Sequence, residues 1–312
     1  MKKKISIIVP CFNEEEAIPV FYKELNKTIN KMKEVDFEII FINDGSSDDT
    51  FNVIKKLSNK DNKVKYISFS RNFGKEAGMY AGMNYSKGDY VAVMDVDLQD
   101  PPEMLIEMYK YINEGYDCVA LYTKEHNDYN FVRKILTKIW YKVIDKLSDT
   151  KQVAGARDFR LMSRKMVNSI LSMKEYNRYS KGLFNFVGFK TKWIEYSAVG
   201  RVVGESKFPL KKLISYSLEG VTSFSSKPLL ISAYVGLTFC LISVLAIIFI
   251  IVKTLIFGDP VTGWPSLACI MIFVSGVQLL FLGVIGVYLS QMYQEIKNRP
   301  IYIIDETDED NK

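Results

Sequence analysis

The sequence predicts an α/β domain on a mostly parallel sheet, followed by two membrane-crossing helices. Residues 1 to about 208 alternate short apolar runs with amphipathic stretches, the βαβα pattern of a parallel sheet with helices on both faces. Polar clusters rich in Asp, Asn and Glu end three of those runs. Two nearly unbroken apolar runs, 229–252 and 264–289, come late in the chain. At 312 residues, 48% hydrophobic and 25% charged, the chain is long enough for one large core and an additional membrane part.

Taking the elements in order, Ile5–Val9 reads as a short buried strand. Asn13, with Glu14 to Glu16 behind it, reads as the cap of a helix running to about Met32. Strand Phe37–Ile42 runs into NDGSS, and helix Asp48–Asn59 follows. Then come strand Val64–Phe69, helix Lys75–Tyr85, strand Tyr90–Met94, helix Pro102–Asn113 and a fifth strand, Asp117–Tyr122. Pro209–Ser226 reads as an interfacial helix leading into the membrane.

Each late apolar run, at 1.5 Å per residue, matches or exceeds the roughly 30 Å hydrocarbon core, and neither shows a polar face. The turn-rich link 256–263 makes them a tight hairpin. Lys207, Lys211, Lys212 and Lys227 precede the first run, and Lys297 and Arg299 follow the second. The positive-inside rule then places the α/β domain and both termini in the cytoplasm, with the helices in the inner (cytoplasmic) membrane of a cell. The stretch after Lys2–Lys4 is too short for a signal peptide. Cys11, Cys118, Cys240 and Cys269 lack metal spacing and read as free thiols. The acidic end 305–312 reads as a solvated, disordered tail. The expected divisions are 1–208, 209–227, 228–290 and 291–312. Ser275, Gly276, Gly283 and Gly286 would let the second helix pack closely, in a homo-oligomer for example.

In parallel sheets, ligands sit outside the carboxyl ends of the strands. Three polar stretches fall there: Pro10 to Glu14, Asn43 to Ser46 and Asp95 to Gln99. The first βα turn has no GxGxxG, and no GxxxxGK[ST] occurs, so dinucleotide and P-loop chemistry are poor fits. Asp95, Asp97 and Gln99, two apart, would point one way on an extended segment. Three such oxygens suit a hard dication, Mg²⁺ or Mn²⁺, with positions left for a diphosphate. Asp100 and Glu103 read instead as a solvated acidic loop, with Asp100 capping the helix after Pro101. The net charge of +5, with basic residues clustered toward the membrane, argues against nucleic acid.

The motifs SIIVPCFNEE, NDGSSDDT, SRNFGKEAG, MDVDLQDPPE, RDFRLMSRK and VGESK, in this order before two spans, resemble the polyprenyl-phosphate glycosyltransferases. These are inverting GT-A enzymes of glycosyltransferase family 2, akin to dolichol-phosphate mannose synthase and the GtrB-type bactoprenol glucosyltransferases. The resemblance implies sugar transfer from a nucleotide diphosphate sugar to a membrane polyprenyl phosphate such as undecaprenyl phosphate. It implies that Pro10, Phe12, Glu14 and Asp44 hold the nucleoside, with Lys75 near the nucleotide and Asp95 at the diphosphate. Asn72 reads equally well as a helix N-cap. Asp95, Asp97 and Gln99 match the metal motif, Asp97 being the most direct ligand. Phe12 stands where the family often has Tyr.

On the acceptor side, the resemblance sets Arg133 and Thr137, with Lys124 nearby, at the lipid phosphate, and Arg160, Arg201, Ser206 and Lys207 are assigned to it as well; Arg201, Ser206 and Lys207 could equally reach a diphosphate or serve as juxtamembrane anchors. Arg133 and Thr137 lie one turn apart on a basic amphipathic stretch, 131–142, which also suits anionic lipid in general. Asp158 occupies the place of a proposed base; a structural ion pair is the other reading. A phosphate monoester, with a second pKa of about 6, needs little help from a base at neutral pH. UDP-glucose is the first choice of donor; UDP-N-acetylglucosamine, other UDP-sugars and GDP-mannose stay open. A processive polysaccharide synthase would be expected to carry QxxRW and more spans, and this chain has no Arg-Trp pair. A catalytically silent scaffold or sugar-nucleotide sensor would not need the complete DxDxQ set.

Overall fold

The computed structural model describes residues 2–123, 153, 155–196, 225, 227–257 and 263–310. Lys124, Arg133, Thr137, Arg201, Ser206 and Lys207, the 131–142 stretch and the expected interfacial helix lie outside the described residues or almost wholly so.

The first half follows the expected alternation: β1 (Lys3–Cys11), α1 (Ala17–Ile29), β2 (Val35–Asn43), α2 (Thr50–Lys60), β3 (Val64–Phe69), α3 (Lys75–Tyr85), β4 (Tyr90–Val93), α4 (Met104–Asn113) and β5 (Cys118–Thr123). Next come β6 (Ala156–Ser163), α5 (Arg164–Ser172), α6 (Ser180–Phe186) and β7 (Thr191–Tyr196). Two long helices, α7 (Lys227–Phe257) and α8 (Trp264–Ile296), precede β8 (Ile304–Thr307).

Among the described residues these strands form one sheet, in the order β7-β5-β6-β4-β1-β2-β3-β8. β1 pairs in parallel with β2 and β4, and β2 with β3. Alternation along β1 builds both cores. Ile5, Ile7 and Val9 pack with α1, Ile54 of α2 and Leu105, Met108 and Ile112 of α4. Ile8, on the other face, packs with α3, with Met166, Val167 and Ile170 of α5 and with Phe184 of α6. Each such fully buried side chain contributes about 1.5–3 kcal/mol.

Several sequence expectations need correction. β5 runs in the same direction as β1–β4 but does not pair with β4, because β6 is wedged antiparallel between the two. The acidic end is not a disordered tail: β8 adds antiparallel to β3, and Asp308 is buried. Its carboxylate accepts from the Tyr66 amide at 3.3 Å and the Tyr85 hydroxyl at 3.0 Å, so it was legible as acid but not as partnered. Asn13 does not cap α1, which starts at Ala17. It sits at φ +55° and accepts from the Ser47 amide, tying the first two sheet-edge loops together.

α7 and α8 each contain a segment long and apolar enough to cross a membrane: Lys227–Ala246, with mean hydropathy 2.3, and Phe273–Ile296, with mean hydropathy 1.9. Large apolar side chains such as Leu237, Phe249, Leu279 and Leu282 are exposed on them. Pro265 in the first turn suits the start of α8, and Asn298 at φ +47° stops it before Pro300. Glu295 near its end accepts from the Tyr176 amide at 2.8 Å, which joins α8 to the α/β domain.

Candidate active site

The carboxyl edge of the sheet collects the expected donor-side residues. Pro10 lies one residue before the end of β1, beside Ile42, and Phe12 is exposed. The Glu14 amide donates to Thr50 Oγ1, which joins the first loop to the second. Asp44 is buried, and its two oxygens accept from the amides of Phe73, at 2.6 Å, and Gly74, at 2.9 Å. Burial pushes its pKa up, against the pull of those amides and of Arg71. Asp44 is therefore an anchor of the 71–74 loop as well as a candidate nucleoside ligand. Asn72 is not a helix cap, since Gly74 holds that place; its Nδ2 donates to the Asp44 carbonyl.

Gly45 is needed here. It sits at φ +63°, and a Cβ on it would lie 2.3 Å from the Arg71 carbonyl carbon. Only glycine lets the two loops close on each other at that conformation.

The segment after β4 is not extended. It turns at Val96–Asp97, and Leu98 has φ +55°. The two-residue spacing therefore does not set Asp95, Asp97 and Gln99 on one face as on a strand. They separate by partner instead. Asp95 pairs with Lys75 Nζ at 2.6 Å, Asp97 accepts from the Gln99 amide, and Gln99 Oε1 accepts from Arg157 Nη2. Asp100 is neither solvated nor a cap. It is buried, accepts from Arg157 Nε at 3.1 Å and bonds the Tyr196 hydroxyl. Burial raises its pKa, and Arg157 opposes that rise. Arg157 thereby fixes both ends of the Gln99–Asp100 turn.

Asp158 follows Arg157 on β6 and pairs with the same Lys75 Nζ, also at 2.6 Å. Burial would raise its pKa, but Lys75, Lys181 and Arg160 hold it well below the usual carboxylate range. The lysine answers in kind: burial would lower its pKa, and Asp158 and Asp95 raise it instead. Arg160, assigned from the sequence to the lipid phosphate, is 2% exposed. It lies 3.6 Å over the Phe184 ring and donates to the Arg157 carbonyl, so it supports the 157–158 backbone from within. Sequence reasoning gave Tyr196 and Lys181 no part. Tyr196 carried no signal, because its approach to Asp100 depends on β7 lying beside β5.

Among the described residues no three carboxylate, imidazole or thiol side chains converge as a metal site. Two carboxylates and an amide oxygen on one turn are still a donor set that fits Mg²⁺ or Mn²⁺. Asp95 and Asp97 would be the anionic ligands, and Gln99 would have to share its oxygen with Arg157.

Comparison with known proteins identifies the family. Residues 6–171 match the family model for glycosyl transferase family 2. The SfII prophage-derived bactoprenol glucosyl transferase of Shigella flexneri is 44% identical over 301 residues, covering 96% of this chain and 97% of that protein. The prophage bactoprenol glucosyl transferase homolog of Escherichia coli K12 is 41% identical over 301 residues, 96% of this chain and 98% of its own. The crystal structure of mannosyl-3-phosphoglycerate synthase from Rubrobacter xylanophilus aligns with TM-score 0.48 and 15% identity, over 70% of this chain and 72% of that one. With its mostly parallel sheet in the GT-A arrangement, the chain is a glycosyltransferase and belongs to glycosyl transferase family 2.

Proposed function

We propose that this glycosyltransferase moves a sugar, with inversion, from a nucleotide diphosphate sugar to a polyprenyl phosphate such as undecaprenyl phosphate, at the cytoplasmic face of a membrane. UDP-glucose is the donor we favour. The acceptor class is supported by relatives named for bactoprenol that span nearly the whole chain. The observation that carries the chemistry is the meeting of Asp95 and Asp158 on Lys75 at the sheet edge, with Asp97 two residues along the same loop from Asp95.

In this reading the loops of Pro10–Glu14 and Asp44 receive the nucleoside, and Phe12 offers its exposed ring to the base. Asp95, Asp97 and Gln99 hold Mg²⁺ or Mn²⁺, which would stabilise the charge that builds on the departing nucleoside diphosphate. Asp158, held ionised, orients the incoming acceptor or the sugar hydroxyls and takes up little proton, because the lipid phosphate is already a strong nucleophile. Lys124, Arg133, Thr137, Arg201, Ser206 and Lys207 remain our assignment for that phosphate. Arg160 is left out, because it is buried against Phe184.

We divide the chain at 1–208, 209–227, 228–290 and 291–312, with α7 and α8 as a membrane hairpin. A bilayer would cover their exposed apolar faces. The β3–β8 pairing supports placing the C-terminal segment on the same side as the catalytic domain. Gly276, Gly283 and Gly286 leave open space on α8 that would suit a second copy.

The test uses membranes carrying the full chain, radiolabelled UDP-glucose and undecaprenyl phosphate, with a panel of other donors alongside. Lipid-extractable label that mild acid releases, lost on chelation and restored by Mg²⁺ or Mn²⁺, is expected. Asp97→Asn should reduce the rate at least about 100-fold, the scale of a transition-state charge interaction. Parental rates in Asp97→Asn, or in chelator, would refute the metal-assisted reading.

A further inference from the structure

Lys75 is the first residue of α3. A helix start favours acids over bases, so an ammonium there needs compensation from elsewhere. The compensation comes from β6, which carries Asp158, and from the loop after β4, which carries Asp95. β4 and β6 pair antiparallel as far as Val93 opposite Arg160, which brings the loop and the start of β6 to the same end of the sheet. Two carboxylates brought close repel each other unless a cation lies between them. Lys75 Nζ stands between them, 2.6 Å from a carboxylate oxygen of each.

The loop that aims this lysine is fixed at its base. Asp44 takes the amides of Phe73 and Gly74, and Glu76 takes the amide and hydroxyl of Ser180. Among the described residues, Asp95 and Asp158 share no other cation at ion-pair distance.

We propose that Lys75 is a positioning cation that occupies the metal's side of Asp95 before the donor arrives and yields Asp95 to the incoming dication while keeping Asp158. This rests on the metal-binding reading above and adds the exchange at Asp95. Metal and ammonium compete for one carboxylate. The same lysine, released from Asp95, stays on the residue that faces the acceptor. Loading of the donor half thus sets the side chain that serves the acceptor half.

The competition has a signed consequence that a purely structural lysine would not produce. The experiment measures Mn²⁺ binding to the purified full chain in detergent by the loss of free Mn²⁺ resonance, without nucleotide and then with UDP. Lys75→Met and Lys75→Gln should bind Mn²⁺ alone about fivefold more tightly than the parent, the equivalent of one part-exposed ion pair. Lys75→Arg, which keeps the charge, should stay near the parent. Lys181→Met removes a cation that acts on Asp158 without touching Asp95, and should tighten Mn²⁺ far less. Circular dichroism melts identify folded variants. Equal or weaker Mn²⁺ binding in folded Lys75→Met and Lys75→Gln overturns the exchange and leaves the metal reading standing. A parent that binds no Mn²⁺ even with UDP overturns both.

Discussion

Tyr302 links the segment after α8 to the edge of the sheet, and its loss should detach that segment without unfolding the domain. Its ring stacks on Phe69 at 5.1 Å and 17°, and meets Tyr80 of α3 edge-on at 6.3 Å. Beyond it, the Ser70 amide donates to the Ile303 carbonyl at 3.1 Å, and the Tyr66 amide to Asp308. Truncating a fully buried aromatic costs about 3–5 kcal/mol; Tyr302 is half-buried, so Tyr302→Ala should cost about 2 kcal/mol. Because β8 is a terminal edge strand, that cost falls on local opening, which corresponds to about a 30-fold larger opening constant. Hydrogen exchange followed by mass spectrometry reads it directly. Peptides covering 64–70 should exchange about 30-fold faster in Tyr302→Ala and peptides covering 35–43 should keep the parental rate, while Tyr302→Phe, which keeps both ring contacts and loses only the hydroxyl's bond to Asn84, should stay much nearer the parent than Tyr302→Ala. Unchanged exchange at 64–70 would show that this ring does not hold the strand, and the assignment of β8 as a clasp would fail.

Two further outcomes are expected. Gly45→Ala would need a Cβ 2.3 Å from the Arg71 backbone at φ +63°, so it should separate the NDGSS loop from the 71–74 loop. UDP affinity by calorimetry should fall more than about tenfold with little change in melting temperature, the cost of one strained loop contact; parental affinity would refute the close approach. Glu38, on β2, is 2% exposed and takes the Ser6 hydroxyl, Lys65 and the Lys87 amide. Burial would raise its pKa, but those donors bring it below the ordinary 4.5. A depressed folded pKa means that its stabilisation is complete above about 4.5 and is lost as pH falls through the lower folded value. Glu38→Gln should flatten the acid limb of the stability curve measured by denaturant midpoints, and an unchanged limb would contradict this.

How much of this was legible depends on whether the signal was local. β3 and α3 were read at their observed limits, because an apolar run bounded by turn residues and a small-residue helix carry their own punctuation. The three sheet-edge loops were placed correctly for the same reason: a polar cluster after a buried strand implies the carboxyl edge. Misreadings arose where a partner distant in sequence decides. Asp100 looked solvated because Arg157 and Tyr196, which bury it, come 57 and 96 positions later. The end of the chain looked disordered because its acids answer Lys55, Tyr66 and Tyr85, on elements some two hundred residues earlier. The spacing of Asp95, Asp97 and Gln99 was real, but periodicity presumes a strand, and β4 ends at Val93.

α3 shows how these distant partners combine. Its sequence is weakly amphipathic, yet Ala77 through Met83 are all buried, so it is covered on more than the sheet side. Part of that cover comes from chain that follows α8: Tyr302 meets Tyr80, and Ile301 and Tyr302 pack against the core cluster that contains Ala77, Met79, Ala81 and Met83. A second tie runs through the loop before α6. Glu295 of α8 accepts from Tyr176, and four residues later Ser180 bonds Glu76 in the first turn of α3. That turn begins with Lys75, the cation between Asp95 and Asp158. The helix that aims the central charge of the site is therefore bounded by the sheet on one side and by segments tied to α8 on the other. A β-branched run or a strongly amphipathic pattern would have been wrong for such a place. Small residues with two glycines, Gly78 and Gly82, let α3 approach Pro10 and Ile8 closely while its outer side is closed by the returning chain.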